Sequence, residues 1–285
     1  MNSFSKCLLT TSIHPKKITK IKNGYSFQEK EKTYYYFKKR KNTKRLKEEL
    51  WEIGYDSFGI PIWEEEDYEL YVVEESFVSE KEWIQVLSLL HQKTMEEEEV
   101  SKEWIQNIQK EQEDIHSYYS SFQETIEQVP FPRMDYYTLL INISLFYHCM
   151  NLSNQYFMSW KKTSLKKGLL LGNLSLWNLK KEKEKYYFLD YGDSKKGYLI
   201  EELYSFFQKY PNIELFQEYE KICNLEEDQK LLWSLLLFPK KIIFTKNIYQ
   251  TTSQIHAEIT RLLNLLSFLE KDKKDEETNK EEFNE

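Results

Sequence analysis

The sequence is short of glycine, the residue that frees a chain to turn tightly, and nearly lacks alanine. Seven glycines and a single alanine, Ala257, stand among 285 residues, beside six prolines and an abundance of Lys, Asn, Ile, Tyr and Glu. That bias fits an AT-rich coding genome and carries little chemistry. Between the first two expected strands only Asn23-Gly24 can turn tightly, so no glycine-rich loop presents a row of backbone N–H groups to a triphosphate. The three cysteines, Cys7, Cys149 and Cys223, are far apart, odd in number and form no C-x-x-C pair. This argues against a disulfide frame or a zinc site and for buried reduced thiols. No apolar segment approaches the roughly 18 residues of a membrane span, and Cys7-Leu8-Leu9 is too short for a signal-peptide core. The expectation is synthesis that ends in the cytoplasm, without a signal peptide. No internal repeat is evident.

What is present suffices for a core: 40% of the residues are apolar, over a length that suits one two-lobed unit or two small domains. The net charge of −7 conceals a polarity along the chain. Pro15 to Lys47 carries thirteen Lys and Arg against Glu29 and Glu31, whereas Trp63 to Glu113 carries sixteen acids against four lysines. A basic run beside Tyr34 to Tyr36 is also a pattern that binds nucleic-acid backbones, but a charge run is more often a solvated face.

Taken in order, residues 1–14 give no periodic signal. Ile18–Lys22, Gly24–Glu29 and Thr33–Lys39 read as strands from their β-branched and aromatic residues. Thr43–Gly54 reads as a helix with Leu46, Leu50 and Ile53 on one stripe. Ile60–Trp63 and Leu70–Val73 follow as strands. Lys81–Lys93 is an amphipathic helix with His91 near its end, and Glu96–Glu99 a solvated acidic turn. A long helix then runs from Trp104 to Val129, where Pro130 and Pro132 stop it. Asp135–Trp160 reads as one core helix and Ser253–Glu270 as the last helix. Residues 271–285, with seven acids, four lysines and one aromatic, hold too little apolar surface to offset ordering entropy and are expected to be disordered.

Two polar clusters stand out in Leu169–Asp193. Leu169-Leu170-Leu171 ends at Gly172; Asn173 and Asn178 lie five residues apart in a loop; and a second apolar run, Tyr186–Leu189, ends at Asp190. This spacing resembles the H-G-D-x-x-x-x-N loop and following I-D strand of the protein-kinase-like superfamily, in its aminoglycoside-phosphotransferase-like branch. In that pattern the loop Asp accepts the substrate hydroxyl proton, while the Asn and the strand-end Asp hold magnesium. Here Leu171 replaces the His, and Asn173 stands at the base position, where a carboxamide has no lone pair basic enough to take a proton. Asn178 and Asp190 remain as metal-binding candidates. Leu89-Leu90-His91 resembles the branch's L-x-x-L-H segment, and Gly197 to Phe207 its following helix start, with Glu202 in place of a second Asp. Leu235-Leu236-Leu237-Phe238-Pro239-Lys240-Lys241 and the Tyr204–Tyr210 segment resemble bacterial spore-coat kinase-like proteins of the CotS and YutH type.

The resemblance implies an α+β, two-lobed protein-kinase-like fold: a small antiparallel β-sheet N-lobe over 1–74 and a mainly helical C-lobe with a degenerate catalytic loop over 75–270. It implies Lys38, or Lys39, as the nucleotide-phosphate lysine, with Glu48, Glu49 or Glu52 as its partner, among which the sequence does not choose. The implied cofactors are ATP and Mg2+. The implied role is that of a catalytically impaired pseudokinase, a structural or assembly component of the spore coat with other spore-coat proteins as partners. The alternative is an active ATP-dependent phosphotransferase on a small hydroxylated metabolite, with Asp193 the nearest substitute carboxylate.

Overall fold

The structure, a computed structural model, describes residues 3–21, 24–30, 32–38, 43–55, 62–65, 67–74, 78–182, 185–189 and 193–282, with backbone only at 43–47, 73–74, 182 and 272–282. In chain order the first elements are α1 (Ser3–Thr11), β1 (Lys17–Ile21), β2 (Gly24–Glu29), β3 (Lys32–Lys38), α2 (Thr43–Glu52), β4 (Trp63–Glu64) and β5 (Tyr68–Glu74). Next come α3 (Glu80–Thr94), β6 (Glu96–Glu99), α4 (Lys102–Glu127), α5 (Met134–Ile141), α6 (Ile143–Ser159) and β7 (Ser164–Leu170). A 3-10 turn at Leu176–Asn178 leads to β8 (Leu179–Glu182), β9 (Lys185–Phe188), β10 (Lys195–Tyr198), α7 (Leu199–Lys209), α8 (Leu215–Glu220), α9 (Asp228–Leu237) and α10 (Ile248–Glu282). No helix among the described residues is long and apolar enough to cross a membrane. The chain forms two compact units: Met1–Glu96 with Lys167–Glu202 and Gln217–Asn224, and Glu97–Lys166 with Leu203–Phe216 and Leu225–Glu285. The Asn173 loop therefore belongs to the same unit as the N-terminal strands.

In the first unit, β1-β2-β3-β5-β4 form an antiparallel sheet. β3 is central, and both its faces are buried, which is why Tyr34-Tyr35-Tyr36-Phe37 shows no polar alternation. Tyr34 and Tyr36 pack with Cys7, Ile13, Phe27 and Leu70. Tyr35 and Phe37 pack on the opposite face with Tyr71 and Leu189. Residues 3–11, which carry no periodic signal, form α1; Cys7 is its one buried residue, and Phe4 meets the Tyr36 ring edge-on at 5.0 Å. A Cβ on Gly24 would lie 1.8 Å from the Tyr36 carbonyl oxygen, so the β2–β3 pairing requires glycine there.

The second unit centres on Tyr119, Leu139, Phe146, Met150, Ile255 and Leu262, from α4, α5, α6 and α10. The single helix expected over Asp135–Trp160 is broken at Asn142, whose φ and ψ are −106° and 3°. The physical reason is local competition: the Asn142 carboxamide donates to the Thr138 carbonyl at 2.9 Å, offering the backbone an alternative to continued helix. The Phe238-Pro239 segment is a helix stop. Arg261 donates to the Leu236 carbonyl and, at 3.3 Å, to the Phe238 carbonyl, occupying C-terminal acceptors of α9 that have no intrahelical partner. Two expectations drawn on composition differ from the backbone found: Glu96–Glu99 is a strand, and α10 stays helical through Glu282. Lys and Glu are good helix formers, and extending an established helix avoids the cost of nucleation.

Candidate functional site

The loop after β7 starts from a fixed edge. Lys167 to Leu170 pair antiparallel with Lys195 to Tyr198 of β10. Gly172 then takes a φ of +73°, and a Cβ there would meet the Asp193 carbonyl oxygen at 2.9 Å and the Asp193 Cβ at 3.1 Å. Glycine is needed at this turn on both counts, and Asp193 is thereby placed beside residue 172.

The loop's first two N–H groups are held by one carboxylate. Leu171 N–H donates to Glu202 Oε2 at 3.0 Å and Gly172 N–H to Glu202 Oε1 at 2.9 Å. Glu202 is buried, and fully buried His91 meets it through Nε2 at 3.0 Å. The other ring nitrogen, Nδ1, meets the Tyr219 hydroxyl at 2.8 Å. Burial holds the Tyr219 hydroxyl well above the ordinary tyrosine range, so it stays protonated. Nε2 donates to the Glu202 carboxylate, which can only accept when ionised, and the Tyr219 hydroxyl that meets Nδ1 also donates to Cys223 Sγ at 3.3 Å. A chain of hydrogen bonds from α8 through α3 and α7 thus fixes the loop backbone. His91 and Glu202 come together here, although the sequence singled them out separately.

Asn173 and Asn178 are both buried and both serve the loop backbone. The Asn173 Oδ1 accepts from Ser175 N–H at 3.4 Å, an Asx-type turn. The Asn178 Nδ2 donates to the Asn173 carbonyl at 3.2 Å, and its own carbonyl accepts Leu189 N–H at 3.0 Å. That last bond brings the end of the second apolar run to Asn178. Asp190 itself, with Tyr191 and Gly192, lies outside the described residues. Among the described residues no group of three or more His, Cys, Asp or Glu could hold a metal ion, and the amide of Asn178 is turned to the loop through its Nδ2.

Lys38 is not brought to this loop. It is exposed at the end of β3 and is in register with Tyr68, which stacks on Tyr36 at 5.0 Å. By the two-residue period of a strand Lys38 therefore belongs to the Tyr36 face. Glu48 is exposed on α2, and among the described residues no ion pair joins it to Lys38. Lys39 lies outside the described residues.

The face of β3 that does meet the loop is aromatic. Half-buried Trp177, immediately before Asn178, stacks on Tyr35 with ring centroids 6.4 Å apart and planes at 16°, and on Phe37 at 6.1 Å and 23°. Ile21, Tyr71 and Leu189 complete the cluster, and Lys180 Nζ lies 5.0 Å from the Tyr35 ring centroid, within cation–π range. Trp177 was not legible as a site residue, because its weight comes from the facing strand. Beside it, Glu82 accepts from Lys181 at 2.9 Å and from the Tyr186 hydroxyl at 2.7 Å. It also closes a capping box with Ser79 at the start of α3, a signal readable as S-x-x-E.

No protein-family model matches the sequence, and no curated protein matches it. Among solved structures, the aminoglycoside phosphotransferase from Alicyclobacillus acidocaldarius subsp. acidocaldarius matches with a TM-score of 0.62 at 10% identity, over 90% of this chain and 92% of that one. The choline kinase LicA from Streptococcus pneumoniae matches with a TM-score of 0.43 at 12% identity, over 93% and 96%. At such identities the likeness is one of fold: this chain shares the α+β, kinase-like fold of an aminoglycoside phosphotransferase, with an antiparallel sheet in its N-terminal part and helices in its C-terminal part.

Proposed function

We propose that this chain is a pseudokinase, a kinase-like fold that no longer transfers phosphate and that serves as a structural or assembly component of a bacterial spore coat. One observation carries the reading: Trp177, Tyr35 and Phe37 fill the face between β3 and the loop with stacked rings, where the resemblance calls for a lysine and a nucleotide. Asn173 supports it, since a carboxamide already accepting from Ser175 N–H cannot serve as the base. The spore-coat role rests on the resemblance of the Phe238-Pro239 and Tyr204–Tyr210 segments, and its partners are other coat proteins. Thermal unfolding with millimolar ATP and Mg2+, for the native protein and Asp190→Ala, tests the reading. A ligand at 100 times its Kd stabilises by about 2.7 kcal/mol; the expected result is no shift in either protein. A shift lost in Asp190→Ala overturns the closed site, and Asn173→Asp is then assayed for phosphoryl transfer.

The position of Asp193 favours a second reading. Its backbone and Cβ lie against Gly172, one residue from Asn173, and the Leu189–Asn178 bond holds the strand end before Asp190 close to Asn178. An active phosphotransferase on a small hydroxylated metabolite would use Asp193 as its base. Magnesium-dependent turnover lost in Asp193→Asn is its signature.

A further inference from the structure

From Gln128 to Asn142 the sequence runs QVPFPRMDYYTLLIN, and its only charged residues are Arg133 and Asp135. In a chain that is 31% charged, such a stretch invites a reason. The two charges neutralise each other: Arg133 Nε and Nη2 reach the Asp135 carboxylate at 2.7 and 2.5 Å. Arg133 Nη2 also donates to the Thr245 carbonyl at 2.9 Å, and the guanidinium lies over the Tyr136 ring. The large side chains that remain facing solvent are mainly apolar. Met134, Tyr137 and Ile141, at i, i+3 and i+7 along α5, are 66%, 50% and 60% exposed. Phe131 is 94% exposed and stands between Pro130 and Pro132, whose fixed φ angles limit the freedom it would lose on being covered. Beside it, Tyr136 packs on Phe244 at 4.5 Å, and the exposed Ile248 and Tyr249 follow in sequence at the start of α10, after the exposed Lys246.

We infer that this corner, α5 with Phe131 as its anchor, is the interface through which two copies of this chain pair about a two-fold axis. The exposed side chains named, together with Val129, present roughly 700 Å2, counting about 200 Å2 for a fully exposed aromatic ring; a stable interface buries about 800 Å2 per partner. An isologous contact places a patch against itself. A charged patch would repel its copy, whereas one whose ion pair is internal carries no such penalty, and a rigid central aromatic is the usual hot spot. An apolar stripe at helical spacing otherwise lies against a neighbouring element. This inference is independent of whether the chain binds nucleotide.

Sedimentation of the full chain from about 1 to 100 μM, in 0.15 M and 1 M NaCl, provides the test, with Phe131→Asp and Met134→Glu as variants and circular dichroism as the control on folding. The expected result is a dimer that persists in 1 M salt and dissociates at least about 100-fold more readily in each variant, with unchanged thermal unfolding. A monomer at 100 μM overturns the proposal, as does a dimer that both folded variants leave intact. A wild-type monomer that binds phosphatidylcholine vesicles through Phe131 also overturns it and makes the face a lipid contact.

Discussion

Glu82 accepts from three directions at once: Lys181 Nζ, the Tyr186 hydroxyl and Ser79. The Lys181 hydrogen bond is the largest of the influences that lower its carboxyl to about 2 from an ordinary 4.5. A carboxylate whose folded value is depressed stabilises the fold at pH above the unfolded value, and that contribution is lost as pH falls through the folded value. Acid titration of stability followed by urea unfolding is expected to show a loss between about pH 4.5 and 2 that is absent in Glu82→Gln, and Glu82→Ala is expected to cost about 2 kcal/mol at pH 7. An unchanged acid limb in Glu82→Gln would show that the three contacts do not hold the group in solution. The capping half of this arrangement was readable from S-x-x-E spacing, whereas its link to the β8–β9 hairpin was not, because Lys181 and Tyr186 are about a hundred residues away in sequence. Glu202 behaves similarly. The sequence places it at a helix start in the resembling segment, but only the fold shows its two oxygens holding Leu171 and Gly172 N–H against His91.

Among the elements, those with a single buried face were legible. The α3 and α4 helices follow their apolar stripes, and β2 carries the bounds expected from its sequence. The central strand illustrates the limit of periodicity. In β3 both faces are buried, so the run of rings announces a strand without saying which residues face the loop; pairing with β5 decides that Tyr35 and Phe37 do and that Lys38 does not. The α1 helix escaped notice because one buried cysteine makes no stripe, and the α5–α6 break escaped because Asn142 reads equally well as a polar residue inside a helix. At the far end of α10, composition alone suggested a chain without structure, while continuity with a packed helix favours helical backbone. Removing residues 272–285 is expected to lower the helical signal at 222 nm by roughly ten residues' worth and to shift the Tm by less than about 2 °C, since helix ends add little without tertiary contacts. A fall of several degrees would mean that this end of α10 packs against the fold.

At the scale of the whole molecule, the charge distribution along the chain predicts a second contact beside the apolar corner inferred above. Its basic stretch, Pro15 to Lys47, and its acidic stretch, Trp63 to Glu113, are complementary in sign, and many β1 side chains in the basic stretch are exposed; the basic stretch of one copy is therefore expected to attract the acidic stretch of another. Attraction between exposed charges weakens as salt shortens the screening length, from about 30 Å at 0.01 M to about 3 Å at 1 M. Burial of an apolar face such as α5 with Phe131 has no such dependence and is, if anything, strengthened by strongly excluded salts. The two contacts therefore separate on a salt series. At about 0.01 M NaCl, species larger than a dimer are expected, built from dimers joined by opposite charges. At 1 M they are expected to fall back to the dimer alone. Reversing Lys16, Lys17 and Lys20 to Glu is expected to abolish the larger species at low salt and leave the dimer untouched, because those side chains are exposed on or before β1 and distant in sequence from α5. Larger species that survive 1 M salt would refute the charge-driven contact. Their loss in Phe131→Asp at every salt concentration would show that the apolar corner is the unit from which larger assemblies grow.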